Sequence, residues 1–534
     1  MSCSRGGRPP ARRGCALASR VADVCIVAEG TYPFVQGGVS TWIHELISAL
    51  PSKTFHILHI GATPDERYER KYELPPNVVG LDQLFLLDFR KEKLRNVGRT
   101  GGDKQAAWEL LGRFHDQLGE GPGVPLFDAV FAATSPSPAR ALSLQDLFYS
   151  RPAWEFLRER YDKKGADASF IDFFWTWRVT HLPLFQMMQA PLPPARLYHT
   201  PSTGYAGFVA VVAKKRFGVP MIVTEHGIYT RERAIEIAQA AWIYVKQTED
   251  YKIRRTQSFF KQWWVNLFRF FSRLCYQEAD RIITITQVNQ PFQLQDGADP
   301  TKMSVIPNGI KLQRFAPQRA VPRPTEEFVV GFVGRVVPIK DVKTFIRAIK
   351  IAAASIPNLK AYVIGPSDED AEYFEECRRL ARLLDLEGCL VFTGRANVLD
   401  YYRRMHVLVL TSISEAQPLV ILEAHCAGVP VVATNVGACE ELLLGRTPED
   451  RALGPSGIIT AVASPQETAA ALVRLAQDPA LHAAMVRAGI ERVERFYREE
   501  DLNRTYLQLY EDLIRAAEMR RPPAPGRAAG ESAG

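Results

Sequence analysis

A chain of 534 residues is too long for one ordinary hydrophobic core, so two domains are expected. Its 46% apolar and 23% charged residues are ordinary for a soluble globular protein. The net charge of +7 falls to +2 without the five arginines among the first twenty residues, so the body of the chain is nearly neutral and we expect no nucleic-acid surface.

The N-terminal residues 1–22 predict a disordered basic tail, because they lack the apolar stretch of a secretory signal. No window reaches the roughly 18 apolar residues that predict a transmembrane helix. The eight cysteines show no C-x-x-C spacing, and several lie in apolar runs, where cysteine behaves as a small hydrophobe. These features predict a cytoplasmic protein.

The first half of the chain predicts strands alternating with helices, which favours parallel α/β sheets. Residues 63–125 predict helices and loops, and residues 140–190 predict aromatic-rich helices. Apolar runs of strand length occupy residues 24–28, 55–60, 127–133, 221–224 and 281–285.

Two polar segments follow strands of this half. The loop that contains Gly37 and Gly38 separates a strand from a helix, and such a loop places backbone N–H groups near an anion. By itself a Gly-Gly loop is more often a turn. His226 follows the strand at 221–224, and polar residues at strand ends are where open α/β sheets bind ligands. A lone histidine is more often structural.

Residues 253–278 interleave aromatic and basic side chains at helical spacing. One interpretation is an amphipathic helix on a membrane surface. The apolar positions cover most of the helix circumference, however, which favours a buried or interface helix.

The second half predicts another α/β domain. Asp368, Glu369 and Asp370 match an Asp-x-Asp pattern that binds a metal in some enzymes. We expect them to cap a helix instead, because acids favour helix N-termini, and we predict no metal site. The predicted divisions are a first domain at 23–315, a proline-rich linker at 316–327, a second domain at 328–497, a last helix at 498–520 and a disordered tail at 521–534.

The stretch 406–440 predicts a strand–helix–strand unit, with Pro418 as the first helical residue and Gly428 after the last. Two carboxylates, Glu415 and Glu423, frame this helix. The helix start presents unpaired N–H groups and suits a phosphate, so the carboxylates could hold hydroxyls at the two ends of one ligand. For an arbitrary pair of glutamates, solvated side chains are the more common case.

The pair Glu415 and Glu423, followed by Ala424, the run G-V-P-V-V-A-T from Gly428, and Gly437, resembles the signature of the retaining family 4 glycosyltransferases. The resemblance covers roughly residues 23–520. It implies the GT-B architecture, in which two Rossmann-like domains face a central cleft and a C-terminal helix crosses back to the first domain.

The resemblance implies roles for the residues that match. It makes His226, beside the anomeric carbon, and Glu415, on the donor sugar, the catalytic candidates. Arg335 and Lys340 would hold the donor diphosphate, and Glu423 the ribose. The other donor-binding candidates are Gly37, Gly38, Asn308, Gly334, Asn397, Val398, Leu419 and Val420.

Within family 4, E-G-T-Y-P-F-V-Q-G-G and T-E-H-G-I-Y-T-R-E-R are similar to PelF-type enzymes of Pel exopolysaccharide synthesis. Two departures stand out. Many members have Glu-Gly-Phe-Gly where this chain has Glu415-Ala416-Gln417-Pro418, so the choice of sugar does not carry over. Lys311 stands where the family pattern has aspartate.

The function that the resemblance implies is transfer of a hexose from a UDP-sugar, UDP-glucose or a related donor, to a growing exopolysaccharide or glycan, with no metal or other cofactor. The leaving phosphate would assist the acceptor hydroxyl on the same face of the sugar, so no separate base is demanded. An inner-membrane exopolysaccharide synthase complex is the implied partner, with a peripheral location there as an option. The alternative is a catalytically weak scaffold subunit that binds a nucleotide or glycan.

Overall fold

The computed structural model describes residues 21–64, 68–88, 101–120, 124–137, 140–165, 169–239, 250–320 and 326–520. Residues 1–20 and 521–534 of the predicted tails lie outside the described residues, as do residues 321–325 of the predicted linker. The predicted domain boundaries stay predictions.

The first half of the chain forms a parallel sheet. Its described strands are β1 (Ala22–Glu29), β2 (Phe55–Gly61), β3 (Val78–Phe85), β4 (Ala195–Thr200), β5 (Met221–Glu225), β6 (Arg281–Thr284) and β7 (Met303–Val305). They lie in the order β3–β2–β1–β4–β5–β6–β7, and neighbours pair in parallel.

The second half forms a second parallel sheet. Its described strands are β8 (Phe328–Val333), β9 (Leu359–Ile364), β10 (Leu390–Gly394), β11 (Val407–Leu410), β12 (Val431–Thr434) and β13 (Gly457–Thr460). Their order is β10–β9–β8–β11–β12–β13. The predicted fold class, two parallel α/β sheets, is confirmed.

Helices connect the strands of both sheets. In the first half they are α1 (Gly38–Ala49), α2 (Lys104–Glu120), α3 (Phe127–Thr134), α4 (Leu144–Tyr149), α5 (Arg151–Arg160), α6 (Phe170–Gln189), α7 (Tyr205–Phe217), α8 (Tyr229–Gln239), α9 (Asp250–Glu278), α10 (Gln290–Gln295) and α11 (Leu312–Phe315). In the second half they are α12 (Val342–Ala353), α13 (Ala371–Leu383), α14 (Val398–Tyr402), α15 (Leu419–Cys426), α16 (Cys439–Leu444), α17 (Pro448–Arg451), α18 (Pro465–Gln477), α19 (Pro479–Phe496) and α20 (Glu499–Arg520).

Both faces of each sheet are covered. In β1, Cys25 and Val27 pack into the core on one face, and Val24 and Ile26 pack into the core on the other. Successive side chains of a strand point to opposite faces, so a strand buried on both sides reads as a continuous apolar run. This is why the central strands were readable from the sequence.

Two sequence predictions in the first half are wrong. Residues 127–133 form helix α3 and not a strand, and the buried positions Phe127, Val130 and Thr134 follow helical spacing. The edge strand β3 lies within residues 63–125, where helices and loops were predicted. Its sequence contains glycine, aspartate and glutamine and is half exposed, so it lacks the apolar run of a central strand.

Helix α9 includes the aromatic segment 253–278. Phe270, Phe271, Leu274 and Cys275 are fully buried in the first core, so the prediction of a buried helix is confirmed for this part. Among the described residues, no helix combines the length and apolarity needed to cross a bilayer.

The chain passes between the two halves twice, once near Ile310 and once near Arg498, and the two segments lie side by side. The Ile310 N–H donates to the Tyr497 carbonyl at 2.8 Å, and the Glu499 N–H donates to the Ile310 carbonyl at 3.2 Å. A Cβ at Gly309 would lie 2.6 Å from the Cα of Glu499, so only glycine permits this approach. Beyond it, α20 buries Tyr506 in the core of the first half, which confirms the predicted crossover helix.

Candidate functional site

The carboxyl ends of the two sheets face each other. Gln417, after β11, contacts the backbone of Asn308, after β7. Glu441, in the helix after β12, accepts hydrogen bonds from the Thr286 hydroxyl at 2.8 Å and the Val288 N–H at 3.1 Å, both after β6. The loops that follow the strands of the two sheets therefore meet, at the end of the strands where α/β sheets bind ligands.

Lys340 and Glu415 meet at this edge of the second sheet. Lys340 Nζ lies 2.5 Å from Glu415 Oε1, and the Ser412 hydroxyl donates to the same oxygen at 2.6 Å. The Ile413 N–H donates to the Ile339 carbonyl at 2.9 Å, which ties the loop after β8 to the loop at residues 411–417. The structure thus brings together Lys340 and Glu415, which the family resemblance assigns to the diphosphate and the sugar of one nucleotide-sugar donor.

Gly437 packs against the backbone of the 411–417 loop. Its φ is +50°, and an added Cβ would lie 2.1 Å from the Glu415 carbonyl oxygen. The Ala438 N–H donates to the Ala416 carbonyl at 2.8 Å. A glycine is required here because both the backbone conformation and the close approach exclude a side chain.

Arg335 lies on the loop after β8 and is half exposed. Its guanidinium pairs with Glu369 at 2.8 Å. The Asp370 carboxylate accepts from the Tyr373 N–H at 3.0 Å and caps α13, so the predicted capping role is confirmed for this residue. Asp368 instead pairs with Arg395. Among the described residues, no three His, Cys, Asp or Glu side chains come together as a metal-binding group.

Glu423 lies on α15 in a more enclosed setting. The Tyr402 hydroxyl donates to its Oε2 at 2.9 Å, and burial raises the pKa of its carboxyl, opposed by Tyr402 and Arg314. The helix begins at Leu419 with Pro418 as its N-cap, one residue later than predicted.

The other donor-binding candidates of the second half lie around this edge. The Gly334 N–H donates to the Ile364 carbonyl at 2.9 Å, at the ends of β8 and β9. Asn397 caps α14 by accepting from the Leu399 N–H at 3.3 Å. Three candidates have apolar side chains that are partly exposed: Val398, Leu419 and Val420.

His226 lies at the carboxyl end of β5 in the first half. Its ring packs edge-on against Trp42 at 4.7 Å, and burial lowers its pKa to about 4, with the Thr224 backbone opposing. Both ring nitrogens are buried, and neither meets the distance and angle limits of a hydrogen bond in the described structure. The imidazole is therefore neutral at neutral pH. Among the described residues, no hydrogen bond joins it to Lys340 or Glu415.

Gly37 and Gly38 stand at the start of α1, exposed on the loop after β1. No atom of the described residues lies within 4 Å of a Cβ added to either glycine. The packing of the chain itself therefore does not require glycine at these two positions.

Two side chains near these strand ends, Glu225 and Gln417, were assigned no role from the sequence. Glu225, next to His226, is buried and accepts from Tyr276, from Gln293 at 2.9 Å and from Thr203 at 3.2 Å. Burial raises its pKa to about 7 despite these bonds. Gln417 was noticed only as a departure from the family pattern. That departure is the signal that pointed to it, whereas nothing local marked Glu225.

Known proteins resemble this chain in part. A D-inositol 3-phosphate glycosyltransferase of Kineococcus radiotolerans is 32% identical over 237 residues, which are 41% of this chain and 54% of that protein. The chain spans about half the length of the curated relatives it matches.

Two solved structures match almost the whole fold. Sucrose-phosphate synthase from Thermosynechococcus elongatus has a TM-score of 0.53 at 19% identity, over 92% of this chain and 99% of that chain. The Anabaena protein Alr3699/HepE in complex with UDP has a TM-score of 0.53 at 14% identity, with the same two coverages. These likenesses confirm the GT-B architecture.

Two family models match the two halves. Residues 22–301 match the model described as a domain of unknown function, DUF3492. Residues 327–478 match the model described as glycosyl transferases group 1. Because the first model covers more than half of the chain, the protein belongs to the DUF3492 family and carries beside that domain one of the glycosyl transferases group 1 type.

Proposed function

We propose that this protein is a retaining glycosyltransferase that moves a hexose from a UDP-sugar, UDP-glucose or a related donor, to a glycan. The observation that carries the proposal is the contact of Lys340 with Glu415 at the carboxyl edge of the second sheet, opposite the first sheet. The group 1 glycosyltransferase domain, the names of the relatives and the UDP held by the Anabaena structure support it.

In the proposed donor site, Arg335 and Lys340 bind the diphosphate. Charge-assisted contacts of this kind stabilise the negative charge that builds on the departing nucleotide. A phosphate oxygen would compete with Glu415 for Lys340, which frees a Glu415 oxygen to accept a hydroxyl of the sugar. Glu423 would accept a ribose hydroxyl, and Tyr402 would orient its carboxylate.

The first half of the chain would contribute Gly37, Gly38 and His226 to the proposed site. The empty space around Gly37 and Gly38 lets a ligand approach their backbone N–H groups closely. The neutral His226 ring lies at the end of β5 with both nitrogens buried, so its proposed hydrogen bond to the sugar requires that ligand binding expose one of them. The bond from the sugar C1 to the diphosphate oxygen breaks, the acceptor oxygen bonds to C1 on the same face, and the acceptor proton passes to the departing phosphate.

The finer part of the proposal is a PelF-like role in the cytoplasm, with a growing exopolysaccharide as acceptor and a peripheral association with an inner-membrane synthase complex. It is supported by the sequence similarity around Gly37 and His226. The other candidate function, a catalytically weak nucleotide- or glycan-binding scaffold, predicts binding of UDP or of a glycan without turnover.

The test is UDP release from UDP-glucose, UDP-galactose and UDP-N-acetylglucosamine, with GDP-mannose as a control and calorimetric UDP binding in parallel. We expect turnover with one or more UDP-hexoses, unchanged by EDTA because Arg335 and Lys340 take up the charge. An α-linked product from an α-linked donor, observed by NMR, would establish retention. UDP binding with no turnover for any donor and glycan would favour the scaffold. Absence of UDP binding would refute the transferase and a nucleotide-binding scaffold.

A further inference from the structure

The side chain of Gln417 connects the 411–417 loop to the first half of the chain. Its Oε1 accepts from the Asn308 N–H at 2.7 Å, and its Nε2 lies 3.4 Å from the Asn308 carbonyl. Gln417 is 8% exposed and Asn308 is 9% exposed. One buried amide therefore satisfies both backbone groups of a single residue 109 positions away.

Asn308 lies where the chain passes from one half to the other. Ile306 packs into a core of the first half, and Ile310 packs into a core of the second. Ile310 also pairs with the returning chain at Arg498, and Gly309 touches the backbone of Glu499. Gln417 thus contacts one of the two places at which the chain passes between the halves.

The loop that carries Gln417 is also held by contacts within the second half. The Thr411 hydroxyl donates to the Asp341 carbonyl at 2.9 Å, and Gly437 and Ala438 support the backbone at Glu415 and Ala416. Gln417 is two residues from Glu415. Two hydrogen bonds therefore connect Asn308 to the loop that also carries the carboxylate paired with Lys340.

We propose that Gln417 is a positioning residue that couples the angle between the two halves to the position of Glu415. The coupling rests on the proposed function, because it gives Glu415 a task on the donor. An amide suits this position because it offers one donor and one acceptor to Asn308. A side chain without them leaves two buried backbone groups unpaired.

Two variants separate positioning from simple support. Gln417→Met keeps the size and removes both contacts. Gln417→Glu restores a donor and an acceptor only when the carboxyl is protonated. Burial raises the pKa of a carboxyl and so favours the protonated form as the pH is lowered. Gln313→Met is the matched control, since Gln313 is exposed and donates to Glu500 at 3.1 Å beside the same crossing, a hydrogen bond that does not involve the loop.

For turnover, we expect Gln417→Met to lower kcat at least tenfold while the Kd for UDP stays within twofold. The kcat of Gln417→Glu relative to wild type should rise at least fivefold from pH 8.5 to pH 6, and Gln313→Met should behave as wild type. A purely structural role predicts parallel loss of UDP binding and melting temperature in Gln417→Met and no such pH dependence, which would overturn the proposal.

A second readout needs no turnover. Hydrogen exchange of peptides that cover residues 303–312 is followed with and without UDP, with UDP binding measured in the same samples. We expect UDP to change exchange at the crossing in the wild type and in Gln313→Met, but not in Gln417→Met. If the wild type binds UDP and this difference does not appear, the coupling is refuted while the proposed function stands. If the wild type binds no UDP, the proposed function fails, and the coupling fails with it.

Discussion

Lys340 and Glu415, 75 positions apart in the chain, form an ion pair between side chains that are only 20% and 12% exposed. Breaking an enclosed pair by removing one partner leaves the other charge without compensation. The pair is therefore both a structural contact between two loops and the centre of the proposed donor site.

Removing either partner should abolish transfer. We expect Lys340→Ala and Glu415→Ala each to lower turnover at least about 100-fold, because each removes a group that stabilises the transition state. The turnover of the double variant should be only slightly below that of the less active single variant, since the two groups act as a unit. Steady-state UDP release checks both expectations.

The control for this pair is Lys343→Ala, which breaks the exposed ion pair with Glu376 beside the same loop. Exposed pairs contribute little, so its turnover should stay within about twofold of wild type. Equal losses in Lys343→Ala and Lys340→Ala would contradict the donor role of Lys340.

Gly437→Ala tests whether the loop around Glu415 must be held in place. The new Cβ would strike the Glu415 carbonyl oxygen, so we expect turnover to fall at least about tenfold although no polar group is lost. Gly454→Ala is the matched control, because Gly454 has a φ of +82° but open space around it. Gly454→Ala should lose about 1–3 kcal/mol of stability through backbone strain. Gly437→Ala should lose more because of the added clash, so turnover is compared at a temperature at which both variants are folded. Similar turnover in the two would show that loop position does not matter.

Gly37→Val tests the open space at the start of α1. In the part of the chain that the structure describes, no atom lies within 4 Å of the added Cβ, so we expect the melting temperature to change little. Turnover should fall at least about tenfold if a ligand approaches this backbone, since a side chain would block it. Gly388→Val is the control. Gly388 also has open space around it but lies in the second half, away from this loop, and the variant should leave turnover unchanged. Full activity of Gly37→Val would remove this loop from the proposed site.

Glu225 predicts a pH dependence of stability. Its pKa is about 7 in the folded protein because of burial, against about 4.5 when unfolded. Between these values the folded state binds more protons than the unfolded state, so the free energy of unfolding falls as pH rises from about 4.5 to 7. At 1.4 kcal/mol per pKa unit, the loss is about 3 kcal/mol.

Glu225→Gln has no proton to lose and keeps partners for Tyr276, Gln293 and Thr203. Its melting temperature relative to wild type should therefore rise as pH increases from 5 to 8. Thermal denaturation of the two proteins at several pH values measures the difference. A constant difference would mean that Glu225 titrates at an ordinary pKa.

The local sequence was sufficient to predict most of the central strands of both sheets. Continuous apolar runs identified the central strands, because a strand covered on both faces has no polar side. It was insufficient at residues 127–133, where a short apolar run fits a strand or a buried helix equally well. It also failed for β3, whose polar residues are tolerated because the strand lies at the sheet edge.

The candidate site divides in the same way. Residue type and spacing singled out Glu415, Glu423, Arg335 and Lys340, because a family motif is a local pattern. The pairing of Lys340 with Glu415, the amide of Gln417 on Asn308 and the surroundings of Glu225 were decided only by the tertiary structure. Each depends on which distant backbone or side chain lies within about 3 Å and on how much water is excluded, and burial of that kind sets hydrogen bonds and pKa values that no local pattern contains.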